Sequence, residues 1–155
     1  MKSDKIEAYW QKFLATLPED SSYHTKTYVA EGWGDGPEMA DELGALIVNG
    51  TKTGTCSALW EWEAEGVSPP ETGAVTIVLD GRGQPIGIVE CVEVTIRKFN
   101  EVDAAFAREE GEGDLSLGYW QEAHQRFFSR SLSKIGKEFR EDMPLVCERF
   151  RLIYT

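Results

Sequence analysis

Cysteine is scarce in this 155-residue sequence and never paired: Cys56, Cys91 and Cys147 stand singly among apolar neighbours, with no CxxC and an odd total. That pattern excludes a disulfide framework and fits reduced, buried thiols in a cytosolic protein. No run is apolar enough to span a bilayer, and Met1-Lys2-Ser3-Asp4 leads into an amphipathic pattern with no apolar leader. The reading is a soluble, cytoplasmic protein with no membrane partner. Cations are short as well: 16 lysines and arginines face 27 aspartates and glutamates, a net charge of −11. Affinity for nucleic acid comes largely from cations that displace counterions from phosphates, so the chain starts at a disadvantage there. Arg126, Arg130, Lys134 and Lys137, with Arg149 and Arg151, are the candidates for a basic patch. A Ser-His-Asp pattern is missing, which leaves a serine hydrolase without support. The acidic run Glu109-Glu110-Gly111-Glu112-Gly113-Asp114 fits no calcium-loop spacing, and no metal or other cofactor is expected.

What is present reads as one domain, residues 1–155, with an N-terminal helical extension over about 1–36. Asp4 and Glu7 start a helix that carries Ile6, Tyr9, Trp10, Phe13, Leu14 and Leu17 at helical spacing and stops at Pro18. Residues 19–36 read as an ordered loop, in which Trp33 either lies near a ligand or fills an apolar gap. Pro37 opens a second helix, with Met39, Ala40, Leu43, Leu46 and Ile47 on one stripe, that ends at Asn49-Gly50. Residues 74–79 and 85–97 are β-branched runs joined by Asp80-Gly81-Arg82-Gly83-Gln84, a hairpin. Glu90 interrupts the apolar face of the second run, so it must be paired, protonated or at an opening. A short helix over 101–108 capped by Asn100, a longer one from Ser116 and a last strand over 145–154 complete the pattern. Strands and helices without a βαβ rhythm argue for an α+β fold.

The stretch Gly50-Thr51-Lys52-Thr53-Gly54-Thr55-Cys56-Ser57 sets an amine, four hydroxyls and a thiol between glycines after a helix. In an extended segment Lys52, Gly54 and Cys56 share one face, and Thr53, Thr55 and Ser57 the other. Lys52 and Thr55 therefore cooperate only through a bend, which Gly54 permits. The plain alternative is a solvated edge strand.

The run Gly-x-Lys-Thr-x-Thr-x-Ser after a helix resembles the signature of the ASCH domain, a relative of the PUA RNA-binding fold. Asp41-Glu42-Leu43, Phe99-Asn100-Glu101-Val102-Asp103, Glu110-Gly111-Glu112-Gly113-Asp114 and Tyr119-Trp120 with His124 are similar, in the same order, to the longer bacterial ASCH proteins. The resemblance implies a small PUA-like β-barrel with helices packed around it, and three activities: RNA binding, ribonuclease action, or hydrolysis of the amide of N4-acylated cytidines. In the small amidohydrolases of the family the catalytic set is a lysine, a threonine three residues later and a glutamate. Carried over, these are Lys52, Thr55 and Glu110, with Glu109 and Glu112 as competitors for the last role. Thr55 would be the nucleophile, and Lys52 would act as base only if burial lowered its pKa from about 10.4. Trp33, Ser57, Trp60, Glu112 and Tyr119 are the candidate substrate-binding residues. Trp120 and His124, four apart, read as core or its rim. The expected partner is a small modified pyrimidine nucleoside or base, with RNA as the alternative; the oligomeric state is not legible.

Overall fold

In the computed structural model, which describes residues 4–34 and 36–155, five α-helices and five strands follow one another without a βαβ repeat. The helices are α1 (Asp4–Leu14), α2 (Pro37–Val48), α3 (Leu59–Glu65), α4 (Ala104–Glu110) and α5 (Leu117–Ser133). The strands are β1 (Val29–Glu31), β2 (Gly54–Ala58), β3 (Val75–Leu79), β4 (Pro85–Lys98) and β5 (Pro144–Tyr154). They form one mixed sheet in the order β1-β3-β4-β5-β2, with β1 parallel to β3 and the β3/β4 and β2/β5 pairs antiparallel. The α+β class expected from the element pattern holds. Among the described residues no helix is long and apolar enough to cross a membrane.

The chain divides into two compact units. In the first, residues 1–50, 73–90 and 151–155, α1 presents Ile6, Trp10, Phe13 and Leu14 to Tyr28, Val75, Ile77 and Ile88. Removing these apolar side chains from water is the main force that holds a helix of this length in place. Glu90, a buried residue of β4, is met by Tyr23 Oη at 2.7 Å, Lys26 Nζ at 2.9 Å and Arg151 Nη2 at 2.8 Å. The carboxylate on the apolar face is thus paired.

The second unit, residues 51–72 and 91–150, is built on α4 and α5. Phe106 and Ala107 of α4 and Trp120, Phe128 and Leu132 of α5 pack with Ala58, Met143, Leu145 and Cys147. Asp103 caps α4 by accepting from Phe106 N, and Ser116 caps α5 by accepting from Tyr119 N. The expected Asn100 cap is not used: Phe99–Glu101 forms a separate 3-10 turn closed by Glu101 on the Lys98 amide. Two short elements, β1 and α3, were not expected from the sequence, and α1 ends at Leu14 rather than reaching Leu17.

Candidate active site

The candidate site begins at a helix end. α4 stops at Gly111, whose φ of 74° places it in the left-handed region. A Cβ there would stand 2.7 Å from the Thr51 carbonyl oxygen and 2.9 Å from Lys52 Cα, so only glycine lets the 51–52 backbone pass this close. Thr53 fixes the crossing: its amide donates to Glu109 O at 2.7 Å, and its carbonyl accepts from Phe150 N at 3.0 Å. Lys52 is thereby delivered to the C-terminus of α4, where unpaired carbonyls favour a cation.

Lys52 is 1% exposed, and its ammonium donates to Gly54 O at 2.8 Å, Glu110 Oε1 at 2.9 Å, Glu110 O at 3.2 Å and Glu112 Oε2 at 3.3 Å. Burial works to lower its pKa, but the Glu110 and Glu112 carboxylates outweigh it and hold the amine above its ordinary value. Lys52 is therefore a fixed cation, and the base role that burial might have conferred does not arise. Glu110 is equally buried, and its second oxygen, Oε2, is met by Trp120 Nε1 at 2.7 Å, His124 Nε2 at 3.1 Å and Cys56 Sγ at 3.2 Å. Burial would raise its pKa, yet Lys52 and His124 hold it well below the usual carboxylate range. His124 Nδ1 lies 2.9 Å from the Trp120 carbonyl, which can only accept, so Nδ1 carries a proton. Nε2 then donates to Glu110 only as an imidazolium. Burial disfavours that charge and Glu110 restores it, leaving the His124 pKa raised. Burial, reinforced by Glu110, drives the Cys56 thiol well above its ordinary value, so it is no nucleophile in this state.

The sequence candidates separate accordingly. Lys52, Glu110 and Glu112 come together; Glu112, a quarter exposed, is the member that solvent reaches. Tyr119, 41% exposed, stands against Gly113 beside it. Glu109 turns away to pair with Arg149. Thr55 lies on β2, paired with Glu148, on the strand face opposite Cys56. The bend expected at Gly54 is absent: the residue pairs with Arg149 inside β2. A Cβ there would be tightly enclosed, with Glu148 O at 3.3 Å and Glu109 Cβ and Phe106 Cε1 at 3.4 Å. Ser57 Oγ accepts from Trp62 Nε1 at 2.9 Å, and Lys137 Nζ lies over the Trp60 ring at 5.3 Å. Trp33 belongs to the other unit, where its Nε1 donates to Glu31 at 3.1 Å. Sequence reasoning missed Cys56, Trp120 and His124 as members of the site. The available sign was the i, i+4 spacing of Trp120 and His124, whose rings stack at 4.3 Å.

Two members of the acidic run, Glu110 and Glu112, thus receive the lysine, while Glu109 pairs with Arg149 and Asp114 is exposed. Compared with known protein families, residues 30–154 match the ASCH domain. The chain belongs to the ASCH domain family. An ASCH domain from Lactobacillus crispatus is 34% identical over 99% of this chain and 96% of its own, with a TM-score of 0.93. A protein of Enterococcus faecalis is 36% identical over 97% and 88%, with a TM-score of 0.85. An ASCH protein of Zymomonas mobilis, at 15% identity and a TM-score of 0.50 over 80% of this chain and 65% of its own, shares the fold alone. No curated protein matches the chain. The PUA-like ancestry expected from the motif order is consistent with this ASCH domain assignment.

Proposed function

We propose that this ASCH domain is an amidohydrolase that removes the acyl group from N4-acylated cytosine or cytidine. The observation that carries the reading is the Lys52 ammonium, held 2.9 Å from Glu110 and 3.3 Å from the solvent-reached Glu112. The resemblance to the small amidohydrolases puts their lysine and glutamate at Lys52 and Glu110. A permanently charged lysine suits the oxyanion that forms when an amide carbonyl is attacked. Glu110, with both oxygens already accepting hydrogen bonds, orients that cation, and Glu112 is the carboxylate free to move a proton. Because Thr55 leaves β2 on the opposite face, the attacking oxygen is that of a water, which bonds to the acyl carbon as its proton passes to Glu112. The C–N4 bond then breaks as N4 takes that proton, releasing the amine and the carboxylic acid. Tyr119, exposed at the rim, offers a ring on which a pyrimidine stacks.

RNA is less well served. Arg149 is paired with Glu109 and Glu93, Arg151 with Glu90, Arg126 with Glu122, and Lys137 sits over Trp60. Three of the six basic candidates are thus ion-paired, in a chain of net charge −11.

The test is the ultraviolet spectrum of N4-acetylcytidine incubated with the protein. Conversion to cytidine is expected, with kcat/KM lower by about 10²–10³ in Lys52→Ala and Glu112→Gln, the range for losing one transition-state donor or proton carrier. Thr55→Ala is informative because Thr55 leaves β2 on the far face. Lost turnover puts the nucleophile there; retained turnover makes it a water between Lys52 and Glu112. A folded parent protein that converts nothing sinks the amidohydrolase, and RNA cleavage at two salt concentrations is then the experiment to run.

A further inference from the structure

We propose that Cys56, Glu110 and His124 form a binding site for a divalent transition ion of the zinc class. Cys56 Sγ, one oxygen of Glu110 and a ring nitrogen of His124 lie within 4.8 Å of one another, all in the second unit. Two edges of that triangle are His124 Nε2 to Glu110 Oε2, 3.1 Å, and Cys56 Sγ to the same oxygen, 3.2 Å. A tetrahedral zinc with bonds of about 2.0 Å to nitrogen and oxygen and about 2.3 Å to sulfur has ligand–ligand edges of roughly 3.3–3.5 Å. The third edge, Cys56 Sγ to His124, is bounded by the 4.8 Å within which all three atoms lie, so an ion draws these two ligands together by at most about 1.3 Å. A thiolate, an imidazole and a carboxylate are the donor set such an ion selects, whereas magnesium and calcium favour oxygen alone.

The surroundings are those of a ligand set held in place. His124 Nδ1 donates to the Trp120 carbonyl, which fixes the ring with Nε2 turned to the site. Glu110 is oriented by Trp120 Nε1 on Oε2 and by Lys52 on Oε1. The lysine thus takes one carboxylate oxygen and leaves the other to the three-ligand focus. Three protein ligands leave a fourth position for water, the pattern of open rather than purely structural zinc sites.

This inference does not rest on the hydrolase reading, and its readout needs no substrate. The full chain, stripped with chelator, is titrated with zinc chloride by calorimetry and with cobalt(II) by absorbance. One ion per chain is expected, with a thiolate-to-cobalt charge-transfer band. Cys56→Ala should abolish the band and weaken zinc binding by about 100-fold or more, beyond the 10–100-fold seen when only a supporting residue is lost. His124→Gln should weaken binding comparably, and Cys147→Ala should change neither signal; circular dichroism checks that each variant is folded. Absence of the cobalt band in the folded parent chain, or zinc binding unchanged in folded Cys56→Ala, overturns the assignment.

Discussion

At the scale of single residues, Glu90 shows how a buried carboxylate records its partners. Burial raises its pKa, but hydrogen bonds from Arg151, Lys26 and Tyr23 bring it down to about 2 from an ordinary 4.5. A carboxyl whose folded pKa is depressed stabilises the fold above its unfolded pKa, and that contribution disappears as pH falls through the folded value. Glu90→Gln is therefore expected to cost about 2 kcal/mol at pH 7, less than a wholly buried pair because Arg151 is mostly exposed. The difference between parent and variant should shrink steadily between about pH 5 and pH 2. Denaturant midpoints across that range measure it, and a gap independent of pH would contradict the account. From the sequence, Glu90 was legible as a carboxylate in need of a partner, since its neighbours alternate apolar. Its partners were not, because Tyr23, Lys26 and Arg151 meet it only through the tertiary fold. The same division runs through the candidate site. Lys52, Glu110 and Glu112 stood out through their motifs, whereas Cys56, Trp120 and His124 belong to residue types that usually fill cores.

At the scale of elements, the site depends on a chain crossing at the end of α4. Gly111 and Gly136 have nearly the same backbone, φ 74° and 72°, but a Cβ at Gly111 meets the 51–52 backbone while one at Gly136 meets nothing within 4 Å. Gly136→Ala should therefore cost only the left-handed penalty, about 1 kcal/mol. Gly111→Ala should cost about 3 kcal/mol and displace Lys52, because backbone cannot yield as a side chain can. Chemical denaturation of the two variants tests this, and equal losses would show that the crossing is not what glycine serves. Long periodic elements such as α2, α5, β4 and β5 could be read from the sequence. β1 could not: three residues with Val29 more than half exposed give no alternation to detect. α3 was hidden by Trp60 and Trp62, aromatics that suggest a strand, in a helix of only seven residues. α4 starts at Asp103 rather than Asn100 because Glu101 closes the preceding turn on its own.

At the scale of the whole molecule, charge decides how partners are met. With a net charge of −11 and its arginines largely paired, the protein should not gather a polyanion from solution. Turnover of neutral N4-acetylcytidine is expected to change less than about twofold between 50 and 200 mM salt, where a protein making several phosphate contacts loses about 10³-fold or more. Steady-state assays at the two concentrations distinguish these, and a steep loss would argue for a phosphate-bearing substrate. The pairing of β2 with β5 bears on how the molecule comes into being. Residues 54–58 find their sheet partners only in residues 145–149, so a ribosome must make nearly the whole domain before the lysine-bearing segment has a strand to lie against. Until then Cys56 stands on a strand without its sheet partner, whereas Glu110 and Glu112, which receive the Lys52 amine, have already been made; the lysine's partners therefore precede those of the strand beside it.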